Sequence, residues 1–323
     1  MARITCIGTG NVGRAWAVVF ARAGHAVALY DAQPDLALNV AMPRIRQTLK
    51  ELAEAMPTGE TAEAVASRIE VHATIADAVR NADYVQESVR EDVAVKRSVF
   101  AEIADAAPYQ CLLASSTSAL PGSAFLNAIV HPERAFVAHP VNPPSHIPLV
   151  ELCGTGTTSA QALGAAQNLL SAAGMEPIIV RKEIDGFILN RLQYTMVAEA
   201  MHLIGEGYCT AEDIDRVVTS GLALRWASIG PFMTAHLNAT KGFAGFVEQL
   251  GPMMKRMGQD AKTDYDWGPQ QVAEIHEWLA SQLPVDNIAE AQAWRDRRIL
   301  ATRAMQNADD GVGSAKKAEP DVS

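Results

Sequence analysis

The sequence predicts an α/β protein, with a doubly wound N-terminal domain followed by an all-helical C-terminal domain. Three observations predict this fold class. A Gly-rich turn joins an apolar strand to a helix within the first 31 residues. Short apolar runs then alternate with helical stretches as far as residue 182. Beyond that point strand signals stop, and helical patterns interrupted by Gly and Pro take over.

The first 31 residues are predicted to form a complete β-α-β unit. An apolar strand spans Ile4–Ile7, and the helix after the Gly-rich turn ends at Gly24, where a left-handed cap is needed. A second strand spans Val27 to Tyr30 and ends at Asp31. The helix places four apolar side chains on its inner face: Val12, Trp16, Val19 and Phe20.

Six further apolar runs are candidate strands of the same sheet. They are Arg68–His72, Tyr84–Val85, Leu112–Ala114, Ala135–Ala138, Leu149–Leu152 and Ile178–Val180. Together they predict a first domain over residues 1–182 and a helical substrate and dimerisation domain over residues 183–310. Residues 311–323 are small, polar and without helix caps, so we expect a disordered tail.

Composition argues against several classes of protein. Lys and Arg total 27 against 37 Asp and Glu, and no basic stripe with interleaved aromatic residues is present, so we expect no nucleic-acid partner. No apolar run approaches the roughly 20 residues that span a bilayer. Because the chain enters its first strand without a secretory pattern, we expect a cytoplasmic protein with no membrane association. The four cysteines lack metal-ligand spacing, so we expect reduced thiols rather than zinc or disulfides.

The turn after the first strand carries a GxGxxG motif, whose glycines are Gly8, Gly10 and Gly13. Such glycines permit a tight turn, close approach of a pyrophosphate and close packing of helix on strand. Asn11 and Val12 begin the helix whose amino end should face the phosphates. Asp31 should accept hydrogen bonds from both adenosine ribose hydroxyls, and no cation follows it for a 2′-phosphate. The pattern predicts a Rossmann domain that binds NAD in preference to NADP.

The segment AFVAHPVNPPSHIPLVEL contains the strongest catalytic signal. His139 follows one apolar run and Glu151 lies inside the next, with four prolines between them that forbid helix and stiffen the loop. If the two runs are neighbouring strands, the carboxylate returns to the imidazole, fixes its tautomer and stabilises the imidazolium formed when the ring takes a proton. Oxidation of an alcohol requires such a base.

The order of motifs resembles the L-3-hydroxyacyl-CoA dehydrogenase superfamily over essentially the whole chain. These motifs are GxGxxG, SSTSAL, HPVNPP, PLVEL and DGFILNRL. The segments GLALRWASIGPF, HLNA and AWRD are closer to the lambda-crystallin branch, whose activity is that of an L-gulonate 3-dehydrogenase. The resemblance implies NAD-dependent oxidation of a free L-3-hydroxy acid such as L-gulonate. A short L-3-hydroxyacyl-CoA ester is the alternative substrate, and a non-catalytic, crystallin-like NAD-binding protein is a further alternative.

The resemblance also implies roles for particular residues. His139 would be the general base and Glu151 its partner. Four other positions match residues of the family's site: Ser118 and Asn190 around the reacting oxygen, and Glu91 and Lys96 along the nicotinamide half of the cofactor. One departure is Ser145, which stands where the branch usually has an aromatic residue, and it predicts a pocket of different shape.

Two features of the helical domain carry further predictions. Arg225, in GLALRWASIGPF, could hold a substrate carboxylate bidentately, although an ion pair with an acidic residue of the AEDID segment is an equal alternative. The run Asp185–Gly207 is apolar on more than one face, which predicts a helix buried in a domain or dimer core. With the aromatic-bearing helices around Trp226, Trp278 and Trp294, it predicts a homodimer, unless these faces fill one protomer's core.

Overall fold

The first unit of the chain, residues 1–191, is built around one sheet of eight strands. The computed structural model describes residues 1–265 and 268–308, so the predicted tail at 311–323 lies outside the described residues. The strands are β1 (Arg3–Ile7), β2 (Ala26–Tyr30), β3 (Ile69–Val71), β4 (Tyr84–Glu87), β5 (Leu112–Ser115), β6 (Ala135–Pro140), β7 (Leu149–Gly154) and β8 (Glu176–Val180). Every strand predicted for this unit is therefore present, with small differences at the ends.

The strand order of the sheet is β3-β2-β1-β4-β5-β6-β7-β8. Neighbouring strands are parallel except for β6 and β7, which are antiparallel. The chain runs outward from β1 in one direction to β3, and then resumes on the other side of β1 at β4. The ends of β1 and β4 therefore form a topological switch point, which is where ligands bind in open α/β sheets.

Helices connect the strands of this unit. They are α1 (Asn11–Arg22), α2 (Pro34–Leu36), α3 (Met42–Ala55), α4 (Ala62–Ala66), α5 (Ile75–Val79), α6 (Val93–Ala106) and α7 (Ala160–Ala172). A π-helical turn, Ala37–Ala41, joins α2 to α3. The predicted inner face of α1 is confirmed at Trp16, which is fully buried and stacks on Phe20 with ring centroids 5.3 Å apart.

The central strands are buried on both faces, which explains their continuous apolar character. In β4 all four residues are buried, and the side chains alternate between the α1 face and the α6 face. Tyr84 packs against Phe20 of α1, with ring centroids 5.6 Å apart, whereas Val85 belongs to the cluster that contains Phe100 of α6. The polar residues of β4 therefore also point to opposite faces, which becomes important at the site.

The second unit is entirely helical among the residues that the structure describes. Its helices are α8 (Leu189–Gly205), which begins in the first unit, α9 (Ala211–Val217), α10 (Ala223–Trp226), α11 (Pro231–Leu237), α12 (Gly242–Asp260), α13 (Pro269–Gln282) and α14 (Ile288–Ala308). The predicted all-helical C-terminal domain agrees with these elements. Within the described parts of the chain, no helix has the length and apolar character needed to cross a membrane.

The long helix begins later than the sequence predicted. Gly186 and Phe187 have positive φ angles of 73° and 50°, so the chain turns there and α8 starts at Leu189 instead of near Asp185. The compact first unit of the structure extends to Arg191. The physical reason is that the amides of Ile188 and Leu189, at the start of α8, donate hydrogen bonds to the side-chain carboxylate of Glu151 in β7.

Burial of α8 also differs from the expectation of a plain protomer core. Only Ala198 and Met201 of this helix are buried, while Leu192 is 68% and Tyr194 55% exposed. Other large apolar side chains of the second unit, including Phe232 at 75%, are exposed as well. These side chains do not fill the core of the single chain.

A comparison of two helical glycines tests the close packing of α1 on β1. A Cβ placed on Gly13 would lie 1.9 Å from the Gly8 carbonyl oxygen, whereas a Cβ on Gly164 of α7 would meet nothing within 4 Å. We expect Gly13→Ala to lower the free energy of unfolding by about 1–3 kcal/mol or more. Gly164→Ala should raise it by about 0.5–1 kcal/mol. Urea unfolding of both variants measures the difference, and equal stabilities would contradict the close approach.

Candidate active site

The Gly-rich turn has the shape that a dinucleotide phosphate requires. Gly8 has a φ of +93°, and a Cβ there would lie 2.7 Å from the carbonyl oxygen of Ser88. A Cβ on Gly10 would meet no atom within 4 Å, so space is open above the turn. Gly8 and Gly13 therefore hold the turn tightly together, and Gly10 leaves room for a ligand to approach the backbone.

The amino end of α1 is free of side-chain caps. Gly10 is its N-cap residue and supplies no side chain, so first-turn amides remain available to an anion. The Asn11 amide oxygen accepts a hydrogen bond from Arg14 Nη2 at 2.6 Å, and Arg14 Nη1 donates to the Thr9 carbonyl at 2.9 Å. Asn11 thus braces the turn, with the half-buried Val12 beside it. This arrangement fits the pyrophosphate of NAD.

Asp31 is oriented by the turn itself. Its Oδ2 accepts hydrogen bonds from the Thr9 amide at 2.8 Å and the Thr9 hydroxyl at 2.7 Å, and its Oδ1 accepts one from the Gln33 amide at 3.0 Å. Because each carboxylate oxygen has about two lone-pair sites, Oδ1 retains one for a ribose hydroxyl. The expectation that Asp31 binds both ribose hydroxyls therefore requires Thr9 to release Oδ2.

His139 and Glu151 face each other across the antiparallel pair of strands. They are register partners in β6 and β7, and His139 Nδ1 lies 2.8 Å from Glu151 Oε2. The exposed fractions of their side chains are 6% and 1%. Because a carboxylate can only accept, Nδ1 carries a proton, and the neutral tautomer that this bond selects has Nε2 as its basic nitrogen. The pairing predicted for these two residues is present.

Glu151 is also bonded to the start of α8. Its Oε1 accepts hydrogen bonds from the Ile188 amide at 2.8 Å and the Leu189 amide at 3.0 Å. Burial by itself would raise the pKa of Glu151, but the hydrogen bonds from His139, Leu189 and Ile188 outweigh it and lower that pKa below its usual value. Glu151 therefore carries a negative charge beside the imidazole at neutral pH.

The turn after β5 brings Ser118 and Asn190 together. Glu91 Oε1 accepts hydrogen bonds from the Thr117 hydroxyl at 2.6 Å and from the amides of Ser118 at 2.9 Å and Ala119 at 3.2 Å. Asn190 Nδ2, in the first turn of α8, donates to the Ser118 carbonyl at 2.8 Å. The Ser118 hydroxyl remains exposed, 3.5 Å from Glu91 Oε1. Glu91 therefore shapes the turn that presents Ser118.

Lys96 is buried rather than presented at a surface. Only 1% of its side chain is exposed, and its Nζ lies 2.9 and 3.1 Å from the two oxygens of Glu87 and 3.4 Å from Glu91 Oε2. Its place along the nicotinamide half of the cofactor stays a prediction, while its buried ammonium group is close enough to orient Glu91. Ser115 Oγ also donates to Glu87 Oε2, at 2.6 Å.

Sequence reasoning missed Glu87 as part of this cluster. Its side chain is fully buried at the end of β4, and that burial raises its pKa despite the charge of Lys96 and several hydrogen bonds. A carboxylate at the end of a strand that is apolar on both faces requires a buried cation or donors. That signal could have marked Glu87 as a residue that needs a buried partner, but it does not identify Lys96 as that partner.

Arg225 belongs to the second unit, in the short helix α10. Its side chain is exposed, and it forms no ion pair with any residue that the structure describes. Within the AEDID segment, Glu212 pairs with Arg216 at 2.6 Å. The structure therefore shows no ion pair between Arg225 and this described segment. The role of Arg225 toward a substrate carboxylate stays a prediction.

Fold and site together define a two-domain NAD-binding oxidoreductase. The family model for the NAD binding domain of 3-hydroxyacyl-CoA dehydrogenase matches residues 3–184, and the model for the C-terminal domain matches residues 186–274. The chain belongs to the 3-hydroxyacyl-CoA dehydrogenase family. The resemblance drawn from the motifs is thereby confirmed, and so is NAD as cofactor.

Individual relatives extend over most of the chain. Rabbit (Oryctolagus cuniculus) lambda-crystallin is 35% identical over 297 residues, covering 91% of this chain and 92% of its own. The L-carnitine dehydrogenase of Streptomyces coelicolor is 37% identical over 258 residues, covering 78% and 79%. The solved structure of 5-formyl-3-hydroxy-2-methylpyridine 4-carboxylic acid 5-dehydrogenase, an NAD+-dependent dismutase, superposes with a TM-score of 0.80 at 26% identity, covering 95% of this chain and 99% of its own.

The lowered pKa of Glu151 predicts a pH-dependent contribution to stability. A carboxyl whose folded pKa is depressed stabilises the fold above its unfolded pKa, and that contribution is lost as the pH falls through the folded pKa. Glu151→Gln should therefore lower the free energy of unfolding by about 1.5–3 kcal/mol at pH 7. The difference from the wild type should shrink as the pH falls below about 4.3.

Urea unfolding between pH 7 and pH 3 measures this difference. The matched control is Glu70→Gln, because Glu70 is 82% exposed and should change stability little at any pH. A Glu151→Gln deficit that is equally large at every pH would show that the charge of the carboxylate contributes nothing.

Proposed function

We propose that this protein oxidises the 3-hydroxyl of a free L-3-hydroxy acid, with NAD as the hydride acceptor and His139 as the general base. The observation that supports this most is the buried His139–Glu151 pair, 2.8 Å apart, in strands of the same sheet that carries the dinucleotide turn. Proton removal from an alcohol at neutral pH needs a neutral imidazole with a fixed tautomer. This pair supplies it.

In the proposed reaction His139 Nε2 accepts the hydroxyl proton of the substrate. The charge of Glu151 stabilises the imidazolium that results, and the two α8 amides keep the carboxylate from rotating away. The Gly-rich turn and Asp31 would hold NAD, whose chemistry would be to accept the hydride from the substrate carbon. The proton and the hydride thus leave the substrate toward two different parts of the same domain.

Ser118 and Asn190 are proposed to bind the reacting oxygen. Asn190 uses Nδ2 to hold the Ser118 carbonyl at 2.8 Å, which leaves its second N–H and its Oδ1 for a ligand. Ser118 keeps its hydroxyl exposed beside that amide. Because Glu91 fixes the backbone of the turn, these groups are positioned before substrate binds.

A free acid is preferred over an acyl-CoA ester. Two similar proteins, L-carnitine dehydrogenase and the pyridine 4-carboxylic acid 5-dehydrogenase, are named for substrates that carry a free carboxylate. In the segment 34–67 cationic and anionic residues are mixed, and Lys50 lies 3.9 Å from Glu63, so the segment offers no clear basic cradle for a CoA phosphate. L-gulonate is the proposed substrate within this class. L-carnitine, itself a 3-hydroxy acid, is the second candidate, favoured by the relatives of that name.

A crystallin-like protein without turnover is disfavoured by the same site. A structural protein has no need for a buried base with a depressed carboxyl pKa beside it.

We further propose a cytoplasmic location, where the NAD pool and reduced cysteines are compatible with this chemistry. Three of the four cysteines, Cys6, Cys111 and Cys153, are buried as free thiols, and burial raises the pKa of Cys111 to about 12.

Replacing the base tests the mechanism. His139→Gln should lower kcat by ~10²–10⁴-fold, because a general base contributes roughly that factor. Binding of NADH, measured by its fluorescence without substrate, should stay within about twofold, since the dinucleotide turn is untouched. Near-normal turnover would end the proposal.

The pH profile distinguishes catalysis from packing. The negative charge of Glu151 would stabilise the imidazolium, so Glu151→Gln should move the acid limb of kcat/KM to lower pH as well as reduce the rate. A reduced rate with an unmoved acid limb would mean that Glu151 acts only in packing.

A substrate panel combined with an arginine variant tests the substrate class. We expect NADH formation from free L-3-hydroxy acids, including L-gulonate and L-carnitine, at higher kcat/KM than from 3-hydroxyacyl-CoA esters. Arg225→Met should lower kcat/KM for the free acid by roughly 10–150-fold, which is a loss of about 1.5–3 kcal/mol of transition-state stabilisation. The kcat/KM for the ester should stay unchanged. Arg216→Met, which breaks an exposed ion pair in the same unit, is the control. Equal losses on both substrates would make Arg225 structural.

We also propose a homodimer formed through the second unit. Exposed apolar residues of α8 and its neighbouring helices, such as Leu192 and Phe232, would be covered by a second copy. Light scattering at micromolar concentration should report twice the chain mass. Leu192→Glu should favour the monomer, whereas Leu38→Glu, a 54% exposed position of the first unit, should not. A monomeric wild type would refute the proposal.

A further inference from the structure

A polar chain crosses the α1 face of the sheet below the dinucleotide turn. The Tyr84 hydroxyl donates to Gln86 Oε1 at 2.6 Å, and Gln86 Nε2 lies 2.7 Å from Ser116 Oγ. Trp16 Nε1 also reaches Ser116 Oγ, at 3.1 Å, and Ser88 Oγ lies 2.9 Å from it. Tyr84, Gln86 and Trp16 are fully buried, so most of this series of hydrogen bonds is shielded from water.

The direction of donation along this series of hydrogen bonds follows from what each group can donate. Gln86 Nε2 also faces the carbonyl of Ala138, at 3.4 Å, and a carbonyl can only accept, so the amide nitrogen must be on that side. The indole N–H of Trp16 is a donor without acceptor capacity. Ser116 Oγ therefore receives two hydrogen bonds, one from Gln86 and one from Trp16.

With both lone pairs occupied, Ser116 can only donate to Ser88. A hydroxyl oxygen has two acceptor sites and one proton. The Ser116 proton is thus directed at Ser88 Oγ, which leaves the proton of Ser88 without an acceptor among the residues that the structure describes. Ser88 is half-buried, so its hydroxyl can still meet a ligand.

Ser88 also stands against the dinucleotide turn. It follows β4 directly, at the switch point between β1 and β4, and its amide donates to the Ile7 carbonyl at 2.7 Å. Its carbonyl oxygen would lie 2.7 Å from a Cβ on Gly8, and its own Cβ would lie 3.5 Å from one on Gly13. The unsatisfied hydroxyl is therefore adjacent to two of the three glycines of the motif.

We propose that Ser88 is a dinucleotide-binding residue whose hydroxyl donates a hydrogen bond to an oxygen of the pyrophosphate and ribose segment of NAD. Trp16, Gln86 and Ser116 act as positioning residues, because they force the Ser88 hydroxyl to donate outward. This role concerns the cofactor alone and does not rest on the proposed substrate.

The first test measures NAD and NADH binding by calorimetry in the absence of substrate. Ser88→Ala should raise both dissociation constants by at least about 3–10-fold, because the lost hydrogen bond would go to a ribose oxygen or to a charged pyrophosphate oxygen. Ser67→Ala is the matched control, because the Ser67 hydroxyl is exposed and bonds only its own helix end, at the Ala64 carbonyl. Unchanged dissociation constants in Ser88→Ala would overturn the proposal.

The second test asks whether the chain controls the hydroxyl. Trp16→Phe keeps an aromatic ring against Phe20 but frees one lone pair of Ser116, so the Ser88 hydroxyl can turn inward. NAD binding should weaken about 2–5-fold in the wild-type background and hardly change in the Ser88→Ala background. Equal effects in the two backgrounds would overturn the positioning role. If Trp16→Phe does not fold, Gln86→Leu removes the other donor and gives the same comparison.

Discussion

The candidate site depends on the hydrogen bonds that the buried carboxylate of Glu151 accepts. It accepts one hydrogen bond from His139 and two from the amides of Ile188 and Leu189, so it joins β6, β7 and the start of α8. An ionised group with 1% exposure would be very costly without these donors. Because the backbone must bring its amides to this carboxylate, the chain turns at Phe187, and Asn190 follows one residue later on the Ser118 carbonyl.

Alternation along two central strands organises the remainder of the first unit. At the ends of β4 and β5, Gln86 and Ser116 face α1, whereas Glu87 and Ser115 face α6. One face therefore carries a neutral hydrogen-bond chain beneath the dinucleotide turn, and the other carries a buried ion pair that leads through Lys96 to Glu91. Two networks of different chemistry thus meet at the turn holding Ser118.

The second unit follows a different physical logic. Few of its described side chains are buried, among them Ala198, Met201 and Leu300, while many of its large apolar side chains are exposed. The hydrophobic effect opposes such exposure, and this exposure is the observation behind the proposed homodimer. The proposed discrimination between substrates involves Arg225 of this unit, whereas the proposed proton and hydride chemistry involves residues of the first unit.

Local pattern determined much of this protein. Apolar runs predict the strand positions, and glycine spacing predicts the dinucleotide turn with Asp31 after the second strand. The pairing of His139 with Glu151 follows when the two apolar runs that hold them are neighbouring strands. These signals are properties of short segments. Tertiary structure alone decided the burial of Lys96 on Glu87 and the start of α8 at Leu189. It also decided the direction of the Ser116 hydrogen bonds. These features arise between residues distant in sequence, where partner, distance and desolvation set the outcome, and no local periodicity encodes them.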